Sequence, residues 1–393
     1  MEIRFSFEEL EIQKSVRKFV KNDLLPISRE VDEKWALPDR VREKLLSMGI
    51  LKTAFPEEWG GVGGTFSGMI IALKELSYAS VVPSWLLFEN FMLAYPISQY
   101  GSDFLKATYL GSLLSLESIG ALAFTESDTG SDPLQLKTSA KKVDGGWLIN
   151  GSKRFITNSG ICDHMILFAK VGNSLAAFLV ESKGKGYKAG KRESFIHSKG
   201  FDNGDLYLED YFAPDEHVIG ETGQGFEILL KTETLGKIAF CTLFVGIAER
   251  ALDLSVNYAN AKTHRGKSIG HRFQMTQVKL ARMMSKIEAM RAYLFQVCSM
   301  VDQGKDVLFE AAALKLFVAS EIKEITSDAM EIHGAYGLSN EYDVAGLYQA
   351  AISAQVVICI FDISPSLKSK SRYKVSHAAT EATQRVFRTR VRG

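Results

Sequence analysis

The chain has 393 residues, 46% of them hydrophobic and 24% charged, with a formal net charge of +1. This is a globular composition, and it gives no general attraction for nucleic acid or an anionic membrane surface. No window holds the roughly 20 apolar residues of a membrane span, and the length allows two or three cores.

From Phe7 to about Ala107 the apolar pattern is helical. "SFEELEIQKSVRKFV" opens with Ser6 as an N-cap and acids in its first turn. "LPDRVREKLLSMGI" reads as a second helix, with Asp39 capping it and Gly49 ending it. "FPEEWGGVGG" is a glycine-rich loop and not a P-loop, because no Gly-Lys-Ser/Thr follows. "FSGMIIALKELSYA" and "SWLLFENFMLAYPISQYG" are long apolar helices of a core.

Near Leu122 the period changes to that of strands. "LAFTESDTGSD", "LKTSAKKVDGGWLINGSKRFITN", "HMILFAKV", "LAAFLVES" and "GDLYLEDYFAP" are rich in β-branched and aromatic residues. Asp144-Gly-Gly, Asn150-Gly151 and Asn203-Gly204 read as turns between them. From Gly225 on, long helical patterns return, enough for a four-helix bundle ending in a basic tail. The expected fold is α+β: an N-terminal α-helical domain (1–120), a middle β-domain (121–224) and a C-terminal helical bundle with its tail (225–393). Cys162, Cys241, Cys298 and Cys359 are too scattered for a zinc site or a disulfide framework. They fit a reducing cytoplasm.

Two segments carry chemistry on their own terms. "TESDTGSD", Thr125 to Asp132, is a polar turn whose hydroxyls and backbone N–H groups suit a phosphate or a ring edge, or simply a turn. "WLINGSKRFITNSG" reads as a hairpin turning at Asn150-Gly151. Its second strand puts Phe155 and Thr157 on one face, where they flank a flat heterocycle or cover a sandwich core.

In this order, "FPEEWGGVGG", "FTESDTGSD", "INGSKRFITN", "GQGF", "RGKSIGHRFQMTQVKLARM" and "EIHGAYGLSNEY" resemble the acyl-CoA dehydrogenase superfamily over nearly the whole chain. The resemblance implies the same three-part fold, FAD as cofactor, an acyl thioester of CoA or a carrier protein as substrate, and a homodimer or homotetramer. It places Leu122, Phe124 and Thr125 at the flavin's pyrimidine edge. Gly130 and Ser131 fall at the pyrophosphate and substrate. Phe155 covers the flavin, and the Thr157 hydroxyl lies near its N5 atom. On the phosphate side, supplied by a neighbouring subunit, it places Lys262, Arg265, Gln274, Glu331, Gly334 and Gly337. Here the chain departs from the family pattern: Lys262 stands for an arginine, Arg265 for an aromatic and Glu331 for an amide. A carboxylate there repels a pyrophosphate unless a cation intervenes.

The larger departure concerns the base that removes the α-proton of the acyl group. The resemblance puts it at Ile358, in "QAAISAQVVICIFD", or in some branches at Gly236, beside Lys237. Neither residue can take a proton. The backbone of Ile358 and the side chain of Lys237 remain as substrate contacts. Gln349 and Ala350 stand where an Arg-Asp pair is usual. Two other acids are candidate catalysts. Glu233 lies one helical turn from Gly236, and Glu89 lies on a helix matching a substrate-pocket wall. The implied activity is an FAD-dependent acyl-thioester oxidoreductase with a relocated base. The alternatives are reactions that need no such base (a flavin monooxygenase, an enoyl-thioester reductase, a non-redox elimination or isomerisation) and a non-catalytic thioester-binding or partner subunit.

Overall fold

The computed structural model describes residues 5–130, 135–196 and 201–356. Its first layer is helical: α1 (Phe7–Phe19), α2 (Ser28–Lys34), α3 (Asp39–Ser47), α4 (Phe66–Ala79), α5 (Val81–Tyr100), and the short α6 (Asp103–Leu105) and α7 (Gly111–Leu114). Ser6 caps α1 in a reciprocal box with Glu9, as the sequence predicts. Pro38, not Asp39, is the N-cap of α3; Asp39 begins the helix. Helix α4 is buried on nearly every side, so it carries no polar stripe.

A β layer follows: β1 (Gly120–Ala123), β2 (Ser139–Val143), β3 (Gly146–Thr157), β4 (His164–Val171), β5 (Ser174–Glu181), β6 (Tyr187–Arg192), β7 (Asn203–Pro214) and β8 (Val218–Ile219). They form one sheet in the order β6-β7-β3-β2-β4-β5-β8, and β1 joins it parallel to β4. Trp147, Ile149, Ile156, Leu167, Phe178 and Leu206 are part of its core. Two sequence expectations fail here. Asn150-Gly151 is not a hairpin turn but lies inside the 12-residue β3, and Asn203-Gly204 is not a turn either but opens the 12-residue β7. The hairpin between β2 and β3 turns at Asp144-Gly145 instead. Gly151 marks a register shift against β7. A Cβ there would come within 2.7 Å of the Thr138 Cα, so glycine permits a close strand approach rather than a reversal. Asn150 spends its amide on Asp210 across the strand pair.

The third part is α8 (Gly225–Ala261), the two-stranded β9 (Thr263–His264) and β10 (Lys267–Ser268), then α9 (Ile269–Arg272), α10 (Gln274–Asp302), α11 (Leu308–His333) and α12 (Asp343–Ser353). Helix α8 has 37 residues, about 55 Å at 1.5 Å per residue. It packs against α4 and α5 on one side and α10, α11 and α12 on the other. Its middle, from Gly236 to Ala248, is therefore buried all round. Asn90 of α5 ties the helices to the β layer: its Nδ2 donates to the Leu113 and Ser118 carbonyls, and its Oδ1 accepts from the Gly120 N–H. That joint sets the start of β1 beside α5, within reach of the residues described next.

Candidate functional site

Turn and strand residues of the β layer make one wall. Lys153 of β3 is fully buried; its Nζ donates to the Phe124 carbonyl and to Glu126 Oε1, both at 2.9 Å. Glu126 also accepts from the backbone N–H groups of Lys137 and Thr138. Burial pulls the Lys153 ammonium down to about 8 against the attraction of Glu126. Burial pushes the Glu126 carboxyl up, but the Lys153 charge and the hydrogen bonds outweigh it and hold the group below its usual range. The pair is ionised at neutral pH, and it fixes the turn that carries Phe124, Thr125 and Gly130. Leu122, Thr125 and Gly130 are half-buried and Phe124 is buried. Ser131 lies outside the described residues.

Phe155 and Thr157 leave β3 on the face opposite the core residue Ile156. Phe155 is 49% exposed and has a left-handed backbone (φ +56) at a second register shift. An exposed aromatic held in a conformation uncommon for bulky residues points to use of that ring. Asn203 Nδ2 donates to the Phe155 carbonyl and to Thr157 Oγ1. Asn203 Oδ1 and Thr129 Oγ1 are buried without a hydrogen-bond partner. An unpaired buried polar atom costs about 1–3 kcal/mol unless something binds it. The wall thus fits a flat heterocycle with a polar edge.

Helices α5 and α8 make the facing wall, and each carries one candidate acid. Glu89 is buried on α5, and Trp85, one turn earlier, donates its Nε1–H to Glu89 Oε1 at 3.2 Å. Burial pushes Glu89 up to about 8, and the charge of Glu233 adds to this. The Trp85 indole and the Thr157 hydroxyl pull the other way. So one carboxyl contacts the β wall at Thr157 and feels the second acid on α8. Glu233 is also buried, and burial raises its pKa against the Lys237 charge. Lys237 Nζ lies 3.7 Å from Glu233 Oε2, near enough for attraction but too long for a hydrogen bond. Glu233 Oε2 has no hydrogen-bond partner.

Gly236 faces Met92, whose sulfur would lie 2.7 Å from a Cβ there. The thioether occupies the space a side chain at Gly236 would need. Phe88 and Phe240 close the surrounding volume. Gln349 and Ala350 line a separate cavity of about 420 Å³ between α2, α5, α8 and α12. Ile358 lies outside the described residues.

The phosphate-side residues gather on the bundle, on elements other than those of the β wall. Gln274 and Glu331 line one pocket with Arg272, Phe273 and Lys279. Lys279 Nζ is 2.5 Å from Glu331 Oε2 and 2.5 Å from Asp328 Oδ1. Lys279 thus divides its charge between two acids, a contact the sequence reading missed. Lys262 sets its ammonium over the Tyr336 ring, and Arg265 takes the left-handed turn position (φ +50) between β9 and β10. Gly334 has φ +61. A Cβ at Gly337 would strike the Met330 carbonyl oxygen at 2.3 Å, so that glycine serves the chain's own close turn.

Comparison with known proteins agrees with this layout. The acyl-CoA dehydrogenase N-terminal, middle and C-terminal domain families match residues 6–117, 121–211 and 223–357. A 3-(aryl)acrylate reductase of Clostridium sporogenes is 32% identical over 86% of this chain and 91% of its own length. The solved butyryl-CoA dehydrogenase of Megasphaera elsdenii has a TM-score of 0.88 at 30% identity, covering 93% of this chain and 98% of that one. The FAD complex of PigA has a TM-score of 0.87 at 26% identity, with coverage of 93% and 98%. Three-part chains of this kind form one fold group, helical at both ends with a β layer between. The chain belongs to the acyl-CoA dehydrogenase family.

Proposed function

We propose that this chain is an FAD-dependent oxidoreductase that interconverts a saturated and an α,β-unsaturated acyl thioester, with the Glu89–Glu233 pair handling the α-proton. The observation that carries the reading is a buried acid on each of the facing helices α5 and α8, with Glu89 next to Thr157 and within the field of Glu233. FAD fits the β wall: the Phe155 ring and Thr157 hydroxyl leave one face, and Thr129 and Asn203 offer unpaired polar atoms. Leu122, Phe124 and Thr125 would hold its ring edge, and Gly130 its pyrophosphate. Lys262, Arg265 and Gln274 would hold the phosphates of a neighbouring copy's FAD in a homo-oligomer, with Glu331 beside them paired to Lys279. When bound, FAD supplies the hydride chemistry at Cβ.

The chain's own residues move the proton at Cα. With a pKa of about 8, Glu89 is protonated at neutral pH. It is then a proton donor, suited to completing reduction of an enoyl thioester. Burial raises the Glu233 pKa, and the nearby Lys237 ammonium opposes that rise. The two carboxyls thus sit in different surroundings, the condition that separates acid and base roles. In the opposite direction the same carboxyl, once ionised, accepts the α-proton. Reductive turnover is therefore fastest below about pH 8, and oxidative turnover above it. Relatives named as reductase and as dehydrogenase are compatible with either direction. The test is purification of a yellow protein and anaerobic mixing with acyl and 2-enoyl pantetheine thioesters. A colourless protein that takes up no added FAD contradicts the proposal. So does a flavin band that neither acyl nor enoyl thioesters alter.

A further inference from the structure

Asn203 opens β7 directly opposite Thr157, the last residue of β3. It is 7% exposed, and its backbone is held from the β6 side, where its carbonyl accepts from the Glu193 N–H. Its side chain crosses to β3. Nδ2 donates to the Phe155 carbonyl at 3.1 Å and to Thr157 Oγ1 at 3.3 Å. The orientation of the amide follows, because a carbonyl can only accept and so the end facing Phe155 is nitrogen. Phe155 falls in the register shift between Lys153 and Ile156 and has no partner residue on β7. Its carbonyl takes the side-chain amide instead. Asn203 Oδ1 has no hydrogen-bond partner among the described residues. A buried amide that served the strand pair alone would satisfy both its ends. Here only the nitrogen end is engaged.

We infer that Asn203 is a positioning residue: by donating to Thr157 Oγ1 it fixes the Thr157 hydroxyl as a hydrogen-bond donor to the Glu89 carboxyl. Its catalytic meaning rests on the reading of Glu89 as the group that moves the α-proton. A threonine hydroxyl has one proton, and it rotates to suit its neighbours. With an Nδ2–H aimed at the oxygen, the O–H cannot point back toward Asn203. It turns to the acceptor on its other side, and the Thr157–Glu89 hydrogen bond favours the Glu89 anion. The other groups around Glu89 are Trp85 on its own helix and Glu233 on α8, which lies beside Lys237. Among the described residues Asn203 hydrogen-bonds none of these, so its influence on the acid runs through Thr157. Ordered in this way, Thr157 opposes the burial that carries Glu89 upward. The acid then stays able to exchange its proton near neutral pH.

The experiment is an infrared titration of the purified full chain, with the protonated Glu89 carbonyl band identified by its absence in Glu89→Gln. Its midpoint should lie near pH 8 in wild type. Thr157→Val keeps the shape and removes the hydroxyl. Asn203→Ala keeps the hydroxyl and removes the group that directs it. Each should move the midpoint up by about half to one pH unit, as expected for one hydrogen bond. The double variant should move it no further than Thr157→Val, because a residue that acts through another has no effect once the other is gone. Turnover should follow. In Asn203→Ala, kcat for a short 2-enoyl pantetheine thioester should fall about three- to tenfold, with KM within about twofold and the same non-additivity. Asn203→Asp has the same size but only accepts, so it draws the Thr157 proton to itself. It should raise the midpoint more with Thr157 present than in the Thr157→Val background, and it decides the matter if Asn203→Ala does not fold. Shifts that add in the double variant, or a midpoint that Asn203→Ala leaves in place, overturn the positioning role and leave the oxidoreductase reading standing. Non-additive shifts without a response to any thioester support the positioning role and overturn that reading.

Discussion

Lys153 and Glu126 in the β layer, and Glu89 and Glu233 between α5 and α8, are all shielded from water, yet their neighbours treat them differently. Lys153 and Glu126 carry opposite charges. Glu126 has hydrogen bonds from Lys153, Lys137 and Thr138, and Lys153 has a second acceptor in the Phe124 carbonyl. Glu89 and Glu233 are both acids, so they cannot pair as opposite charges. Glu233 has Lys237 nearby, and its Oε2 is left without a hydrogen bond. The first group is fully satisfied, so it holds a shape. The second leaves one oxygen unpaired, and burial keeps Glu89 protonated up to about pH 8. Perturbed acids in a seam of the fold mark function more often than architecture.

The largest test of this contrast is Lys153→Met, which leaves Glu126 buried without its cation. It should destabilise the protein by about 3–5 kcal/mol, read as a fall in the denaturation midpoint. A loss well under 1 kcal/mol would mean that the β-layer pair is not structural. Glu89→Gln and Glu233→Gln should do the reverse. Each should lower turnover by about 10²–10⁴-fold without lowering stability at neutral pH. Equal stability losses in both sets of variants would erase the distinction between the two regions.

The pH dependence of stability sharpens the contrast. Glu89 binds its proton up to about pH 8 in the folded chain and loses it near 4.5 when unfolded. Between those values the folded state holds more protons, so the Glu89 contribution to stability falls as pH rises and levels off above about 8. Denaturation curves of Glu89→Gln should lack this fall relative to wild type. The smallest effect concerns Glu331, whose side chain is 62% exposed beside Lys279. Glu331→Gln should tighten FAD by at most about fivefold in a titration, because exposed pairs contribute about 0–1 kcal/mol. A weakened FAD affinity would show that the carboxylate itself assists binding.

Much of this was legible in the sequence. The change of period near Leu122 separates helices from strands, and the long apolar runs give α4, α5 and α8. Glu89 and Glu233 stand out as acids in apolar helices. That Glu89 lies in the field of Glu233 does not follow from the sequence, because it depends on how α5 crosses α8. The Trp85–Glu89 bond lay within reach, since the two residues are spaced one helical turn apart. Asn150-Gly151 and Asn203-Gly204 misled because an Asn-Gly pair can serve a strand. In β3 the glycine makes room for Thr138, a neighbour that a local reading does not include. Lys279 was missed for a similar reason: it meets Glu331 only because α10 packs on α11.

The most direct measurement takes the flavoprotein, chemically reduced under anaerobic conditions, and mixes it with a short 2-enoyl pantetheine thioester across a pH series. The recovery of the oxidised flavin band is followed in wild type, Glu89→Gln and Glu233→Gln. The account predicts fast recovery in wild type that fades as pH passes about 8, and recovery slowed at least about 100-fold in Glu89→Gln. Recovery in Glu89→Gln and Glu233→Gln at the wild-type rate, with the same pH profile, would contradict it.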